Sequence, residues 1–220
     1  MIKAIIFDFD GVILESVDIK GWAFRKLFEE YPDAVDIIVA YHYANGGVPR
    51  YDKFRHIYKE ILKQPLSDSK FEELCCRFAD LVFKKVLGCE FVDGALEFLE
   101  KYYKKYSFFI VSGTPHEEIQ EIVKGRNLTK YFKGVFGSPT AKSVWTANIL
   151  KDNGFDAKEV LWVGDALSDW RAAHENNILF AVRLWKENRE VFQRVKVDFE
   201  MNDLVGLTAL IDKLNKGKKK

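Results

Sequence analysis

The chain has 220 residues, 48% of them apolar and 30% charged, the balance of a soluble globule with a substantial core. A formal net charge of +1 provides no global field toward nucleic acid or an anionic membrane, and neither is expected as a partner. Three cysteines, two of them adjacent (Cys75 and Cys76), cannot make a disulfide framework and read as reduced core thiols of a cytoplasmic protein.

The first element is an apolar run at 3–7, read as a buried strand. It carries one lysine and breaks at Asp8, which suits neither a signal peptide nor a membrane-spanning helix. Asp8 and Asp10 flank a single phenylalanine. Two acids two apart on a strand face the same side and repel, so something must compensate them.

Residues 15–88 look helical throughout. Ile19, Ala23, Leu27 and Tyr31 recur at spacing four, followed later by Phe54, Ile57 and Ile61, with no strand among them. The simplest account is a helical insertion between the first strand and the chain's return at 91–94, forming a cap (15–88) over one end of the sheet. Residues 1–14 and 89–220 then form the core. Inside the insertion, GGVPRYDKFR turns and starts a helix bearing Arg50, Lys53 and Arg55. Arg50, alone or with Lys53, is a candidate reader of an anionic or hydroxylated part of a substrate. The plainer reading is a solvated helix face.

Strands and helices then alternate. The helix at 95–103 is followed by a strand at 107–111 and a helix at 116–124. A weaker strand follows at 134–136, then strands at 160–163 and 179–182 with helical sequence between them. Apolar strands without polar alternation, separated by helices, predict a doubly wound parallel α/β sheet. The lysine-rich tail, 216–220, reads as frayed and solvated.

In such a sheet, ligands bind beyond the carboxyl ends of the strands. There the sequence places Asp8-Phe9-Asp10-Gly11, Ser112-Gly113-Thr114-Pro115 and Gly164-Asp165-Ala166-Leu167-Ser168-Asp169, with Lys142 opening the helix before the last. Four carboxylates gathered at one place need a counter-charge, and all-oxygen ligation points to Mg2+ held by Asp8, Asp10, Asp165 and Asp169. Thr114 to Glu117 reads as a capping box with Pro115 at the first helical position, aiming a helix N-terminus at the same place. Ser112, Gly113 and Lys142 would then cradle a phosphoryl group. Asp8, rigid at the strand end, is the expected nucleophile, and Asp10 the acid and base. Taken singly these residues have plainer readings: a solvated loop for Asp8 and Asp10, a surface residue for Lys142, a helix cap for Asp169.

DFDGV, SGT, a lone lysine and GDALSD, in this order, resemble the haloacid dehalogenase superfamily of phosphohydrolases. The branch indicated is the phosphoglycolate phosphatase and β-phosphoglucomutase-like one, with a helical cap. The resemblance spans the whole chain. It implies Asp8 as nucleophile, Asp10 as general acid/base and Ser112 with Lys142 as the phosphate-binding pair. Asp165 would ligate magnesium together with Asp8 and the Asp10 main-chain carbonyl, and Asp169 would stand outside it. Glu15 departs from the aspartate that often precedes the serine, which bears on the hinge.

The expected activity is therefore magnesium-dependent hydrolysis of a small phosphate monoester, a sugar phosphate or a phosphorylated hydroxy acid, by a monomer or weak homodimer. A sugar phosphomutase using the same site is the alternative, and a silent phosphometabolite-binding protein is a further one. A dehalogenase or phosphonatase typically lacks the second aspartate, which is present here as Asp10.

Overall fold

The computed structural model describes residues 1–216, so all of the expected frayed tail except Lys216 lies outside the described residues. Six parallel strands form one sheet: β1 (Ala4–Phe7), β2 (Ser107–Pro115), β3 (Gly134–Ser138), β4 (Val160–Gly164), β5 (Leu179–Arg183) and β6 (Phe199–Met201), in the order β3-β2-β1-β4-β5-β6. The expected α/β architecture is thus observed. β1 is central and wholly buried, which is why its sequence is apolar on both faces. Ile5 and Phe7 enter one core while Ala4 and Ile6 enter the other.

From β1 the chain builds one side of the sheet and then returns to build the other, so the crevice of the reversal opens at the end of β1. Phe7 pairs in register with Ile110 and Val163, and the Asp8 N–H donates to the Val163 carbonyl at 2.9 Å. Asp8 therefore leaves the sheet level with its two neighbours.

Between β1 and β2 lie α1 (Val17–Leu27), α2 (Val35–Ala44), α3 (Arg50–His56, continued by a π-turn), the long α4 (Asp68–Gly88) and α5 (Ala95–Tyr102). The four helices α1 to α4 occupy the segment expected to be helical. Their core, with Phe24, Phe28, Phe54, Phe78 and Val82, is continuous with that of one sheet face. The segments entering and leaving them are tied together: Glu15 N–H donates to Glu90 O at 3.0 Å, and Val92 N–H to Ile13 O at 3.1 Å. The remaining helices are α6 (His116–Gly125), α7 (Lys142–Asn153), α8 (Leu167–Glu175), α9 (Arg189–Phe192) and α10 (Leu207–Lys216). Among the described residues no helix is long and apolar enough to cross a membrane.

Three expectations need correction. β2 runs on to Pro115, with an irregular register after Val111, so Thr114 is a strand residue. The capping box consequently does not form: α6 starts at His116, Pro115 holds the cap position, and no side chain caps it. The cysteines are not core residues either, since Cys76 is exposed and Cys75 and Cys89 are half-buried.

Candidate active site

A tight turn after β1 sends the N–H groups of Val12, Ile13 and Leu14 to the Phe9 carbonyl. Gly11 makes this turn at φ +74°, and a Cβ there would stand 2.4 Å from Asp165 Oδ2. Backbone conformation and close approach both demand glycine. The turn leaves Asp8 buried, its Oδ1 accepting the Phe9 N–H at 2.7 Å and its Oδ2 2.8 Å from Lys142 Nζ.

Lys142, at the start of α7, bridges Asp8 and Asp169, with Nζ 2.6 Å from Asp169 Oδ1. Asp169 spends its other oxygen on the N–H groups of Asp165 (3.2 Å) and Ala166 (3.0 Å). It therefore orders the loop after β4 while orienting the lysine. Asp165 Oδ2 accepts from Trp185 Nε1 at 3.0 Å, and its carbonyl accepts from Asn188 Nδ2 at 2.8 Å. Nothing among the described residues donates to Asp165 Oδ1.

One oxygen from each of Asp8, Asp165 and Asp169 lies within 4.8 Å of the others, and all three residues are buried. Burial, with Asp169 and Asp10 adding repulsion against the pull of Lys142, pushes the Asp8 carboxyl up to about 7. Burial, then Asp8 and Asp169, raise Asp165 well above the carboxylate range. Lys142 moves upward: burial opposes its charge, but Asp169 and Asp8 outweigh that. Three carboxylates around one ammonium leave a charge deficit that a dication fits. Asp8 and Asp165 are the acids with oxygens to offer it, while Asp169 is fully engaged.

Asp10 points elsewhere. Its Oδ1 accepts from Ser16 Oγ at 2.6 Å, and its Oδ2 pairs with Lys20 Nζ and accepts from Thr114 Oγ1 at 3.2 Å. Burial opposes ionisation here, but Lys20 with the Ser16 and Thr114 hydroxyls outweighs it and holds Asp10 below its usual range. Its side chain thus stands outside the cluster of Asp8, Asp165 and Asp169, and the expectation that it joins them around a metal ion is not met by its carboxylate. Ser112 is buried, and its hydroxyl accepts the Thr114 N–H at 3.1 Å. Ser112, Gly113 and Lys142 line a groove that adjoins the main cavity at Gly113.

The main cavity, about 80 Å³, has Asp8, Asp10 and Asp165 on one side and Phe24, Lys53 and Phe78 of the helical layer on the other. The Gly46-Gly47 turn of that layer reaches Lys142: a Cβ at Gly47, where φ is +69°, would lie 3.3 Å from Lys142 Nζ. Arg50 lines the cavity too, but its guanidinium is 2.5 Å from Glu118 of α6 and stands over the Phe78 ring. Glu15, the departure noted near the hinge, pairs with Arg183 at the end of β5 at 2.6 Å.

Sequence reading missed Lys20, Thr114, Trp185 and Asn188. Lys20 lies four residues after Ser16, which stands at the cap position of α1, and Thr114 follows Ser112 by two on β2, so helix and strand periodicity could have found both. Trp185 and Asn188, in the loop after β5, carry no such signal.

The buried Asp8–Lys142 pair lies at the switch point of a parallel Rossmann-like sheet, where folds of this class bind their ligands. The chain belongs to the haloacid dehalogenase-like hydrolases, whose family model matches residues 5–182. Among solved structures it is similar to one from Haemophilus somnus 129pt described as a predicted phosphoglycolate phosphatase (17% identity, 96% of this chain and 98% of that one, TM-score 0.75). It is also similar to CbbY from Rhodobacter sphaeroides in complex with phosphate (14% identity, 94% and 96%, TM-score 0.73). A third is the HAD-hydrolase YfnB from Bacillus subtilis bound to magnesium (16% identity, 96% and 99%, TM-score 0.70). No curated protein sequence matches the chain significantly.

Proposed function

We propose that the chain is a magnesium-dependent phosphatase of small phosphate monoesters, working through an aspartyl-phosphate on Asp8 under a cap formed by residues 15–88. The observation that carries this reading is the contact of Asp8 Oδ2 with Lys142 Nζ at 2.8 Å, beside Asp165, in a cavity that the helical layer covers. The similar structures described as a phosphoglycolate phosphatase and as a phosphate complex support it.

Asp8 and Asp165 would hold the magnesium ion, which when bound neutralises charge on Asp8 and on the phosphoryl group. Lys142 supplies a further positive charge, and the Ser112–Thr114 segment supplies hydrogen bonds to the phosphoryl oxygens. The Asp8 carboxylate attacks phosphorus and the bond to the leaving oxygen breaks. Asp10 gives that oxygen its proton, then takes one from the water that hydrolyses the acyl phosphate. The proton that Asp10 takes from the water is the one it gives to the next leaving oxygen, so it enters the first half protonated, and Lys20 favours the ionised state required of the base in the second half.

Phosphate release from p-nitrophenyl phosphate and a panel of phosphorylated metabolites, with and without Mg2+, tests the reading. Turnover that needs the metal and is abolished in Asp8→Asn is expected. Absence of release across the panel overturns it.

A further inference from the structure

Three cations line the main cavity: Lys20, Arg50 and Lys53. Lys20 is paired with Asp10 and Arg50 with Glu118. Lys53, only 3% exposed, has no carboxylate partner among the described residues. Its ammonium stands 5.7 Å over the Phe24 ring, and both its hydrogen bonds go to His42: to Nδ1 at 3.0 Å and to the main-chain oxygen at 3.2 Å. Two of its three protons are used and one remains. Because His42 Nδ1 accepts from a cation, the ring proton belongs on Nε2, and that atom finds no acceptor among the described residues.

A buried ammonium with only a neutral partner is costly, and an anion brought by a ligand would relieve the cost. Burial, then repulsion from Lys20, push Lys53 down to about 7 against the pull of Asp10 and Asp165. The needed anion is small in charge. One uncompensated cation matches a single negative charge, whereas a second phosphate dianion would call for more.

The other walls bear on the ligand's remaining atoms. Beside Phe24, which lies under the Lys53 ammonium, the apolar side chains that line the cavity from the helical layer include Val17, Val48 and Phe78. The polar groups that could read hydroxyls are already engaged: Thr114 with Asp10, Asn188 with Asp165 and Arg183, and Tyr43 with Asp18. Each sugar hydroxyl pressed against those apolar walls would lose its water partners at about 1–3 kcal/mol.

We propose that Lys53, backed by His42, is the recognition site for a single carboxylate on the alcohol side of the substrate, so that the chain selects phosphate monoesters of short hydroxy acids over sugar phosphates. As a statement about substrate this rests on the phosphatase reading; as a statement about binding it does not.

Calorimetry with two non-hydrolysable probes, 2-carboxyethylphosphonate and propylphosphonate, in the presence of Mg2+ separates the two. The carboxylate probe should bind wild type at least about tenfold more tightly than the propyl probe, a difference of about 1.4 kcal/mol. Lys53→Met should erase that ratio. It should also raise the melting temperature of the ligand-free protein, because a methionine of similar length buries no charge there; this shows the variant to be folded. Equal affinities in wild type, no binding of either probe, or a preference that survives Lys53→Met would overturn the proposal. If the preference is present but neither 2-carboxyethyl phosphate nor propyl phosphate is hydrolysed, the phosphatase reading fails while the carboxylate site stands.

Discussion

Lys20 of α1 and Asp10 of the turn after β1 form a direct ion pair, with Thr114 Oγ1 accepting from Lys20 Nζ at 2.9 Å and donating to Asp10. A residue of the helical layer thereby lowers the proton affinity of Asp10, the acid/base proposed above.

Replacing that lysine should move the reaction's pH profile. Without the ammonium, burial acts on Asp10 unopposed by its main counter-charge, so its carboxyl titrates higher. In Lys20→Met the acidic limb of kcat should shift upward by about one unit. Lys20→Arg should restore most of it. A limb unmoved in Lys20→Met would remove Lys20 from the proton chemistry.

Arg50 and Glu118 join α3 to α6 at 2.5 Å, with side chains 6% and 13% exposed. Breaking one half of so buried a pair strands the other charge. Glu118→Ala should cost about 3 kcal/mol in denaturant unfolding, and the double change Arg50→Met with Glu118→Met should recover most of that. If Arg50 acts by holding the layers together, Arg50→Ala and Glu118→Ala should raise KM by similar factors. A rise confined to Arg50→Ala would mean that Arg50 reads the substrate itself.

Lys53 titrates near 7 in the folded chain against 10.5 ordinarily, with Lys142 adding to the downward push and Asp10 and Asp165 opposing it. Between those values the unfolded chain binds the proton that the folded chain refuses. Stability should therefore be lost as pH falls from about 10 toward 7, by on the order of a few kcal/mol. Below that range His42 acts in the same direction. It is held well below its ordinary value by burial, then by Lys53 and Lys20, and must take up a proton on unfolding. Urea unfolding at pH 7 and 9.5 should show the upper slope in wild type. A similar slope in Lys53→Met would assign it to other groups.

The indole of Trp185 donates to Asp165 Oδ2 and meets Tyr43 of α2 edge-on at 6.2 Å. That bond fixes the plane of a carboxylate expected to hold the metal. Trp185→Phe keeps the packing and removes the donor, so Mg2+ affinity should fall about tenfold, read by calorimetric titration of the substrate-free protein. Unchanged affinity would leave Trp185 as packing alone.

Much of this architecture is legible in the sequence because burial on both faces strips polar residues from a strand, as in β1 and β4. β6 escaped for the opposite reason: its three residues, Phe199 to Met201, are half-buried or exposed at the sheet's edge. Asp8, Lys142 and Asp165 were readable as strand-end and helix-start residues. Thr114 was misread because hydroxyl, proline and acid in that order suit a helix start equally well. Arg50 and Lys53 looked like a solvated face, yet they are three apart and turn inward beside Phe54, leaving only Arg55 exposed. Their partners Glu118 and His42 are distant in sequence, and local pattern cannot pair them.

The Gly46-Gly47 turn closes on the lysine that would hold the phosphoryl group. Inorganic phosphate set free beneath that turn would leave past residues of the helical layer, among them Gly47 and Val48. The same turn that narrows the access of bulk water to the acyl phosphate would then also slow the exchange of the site's contents.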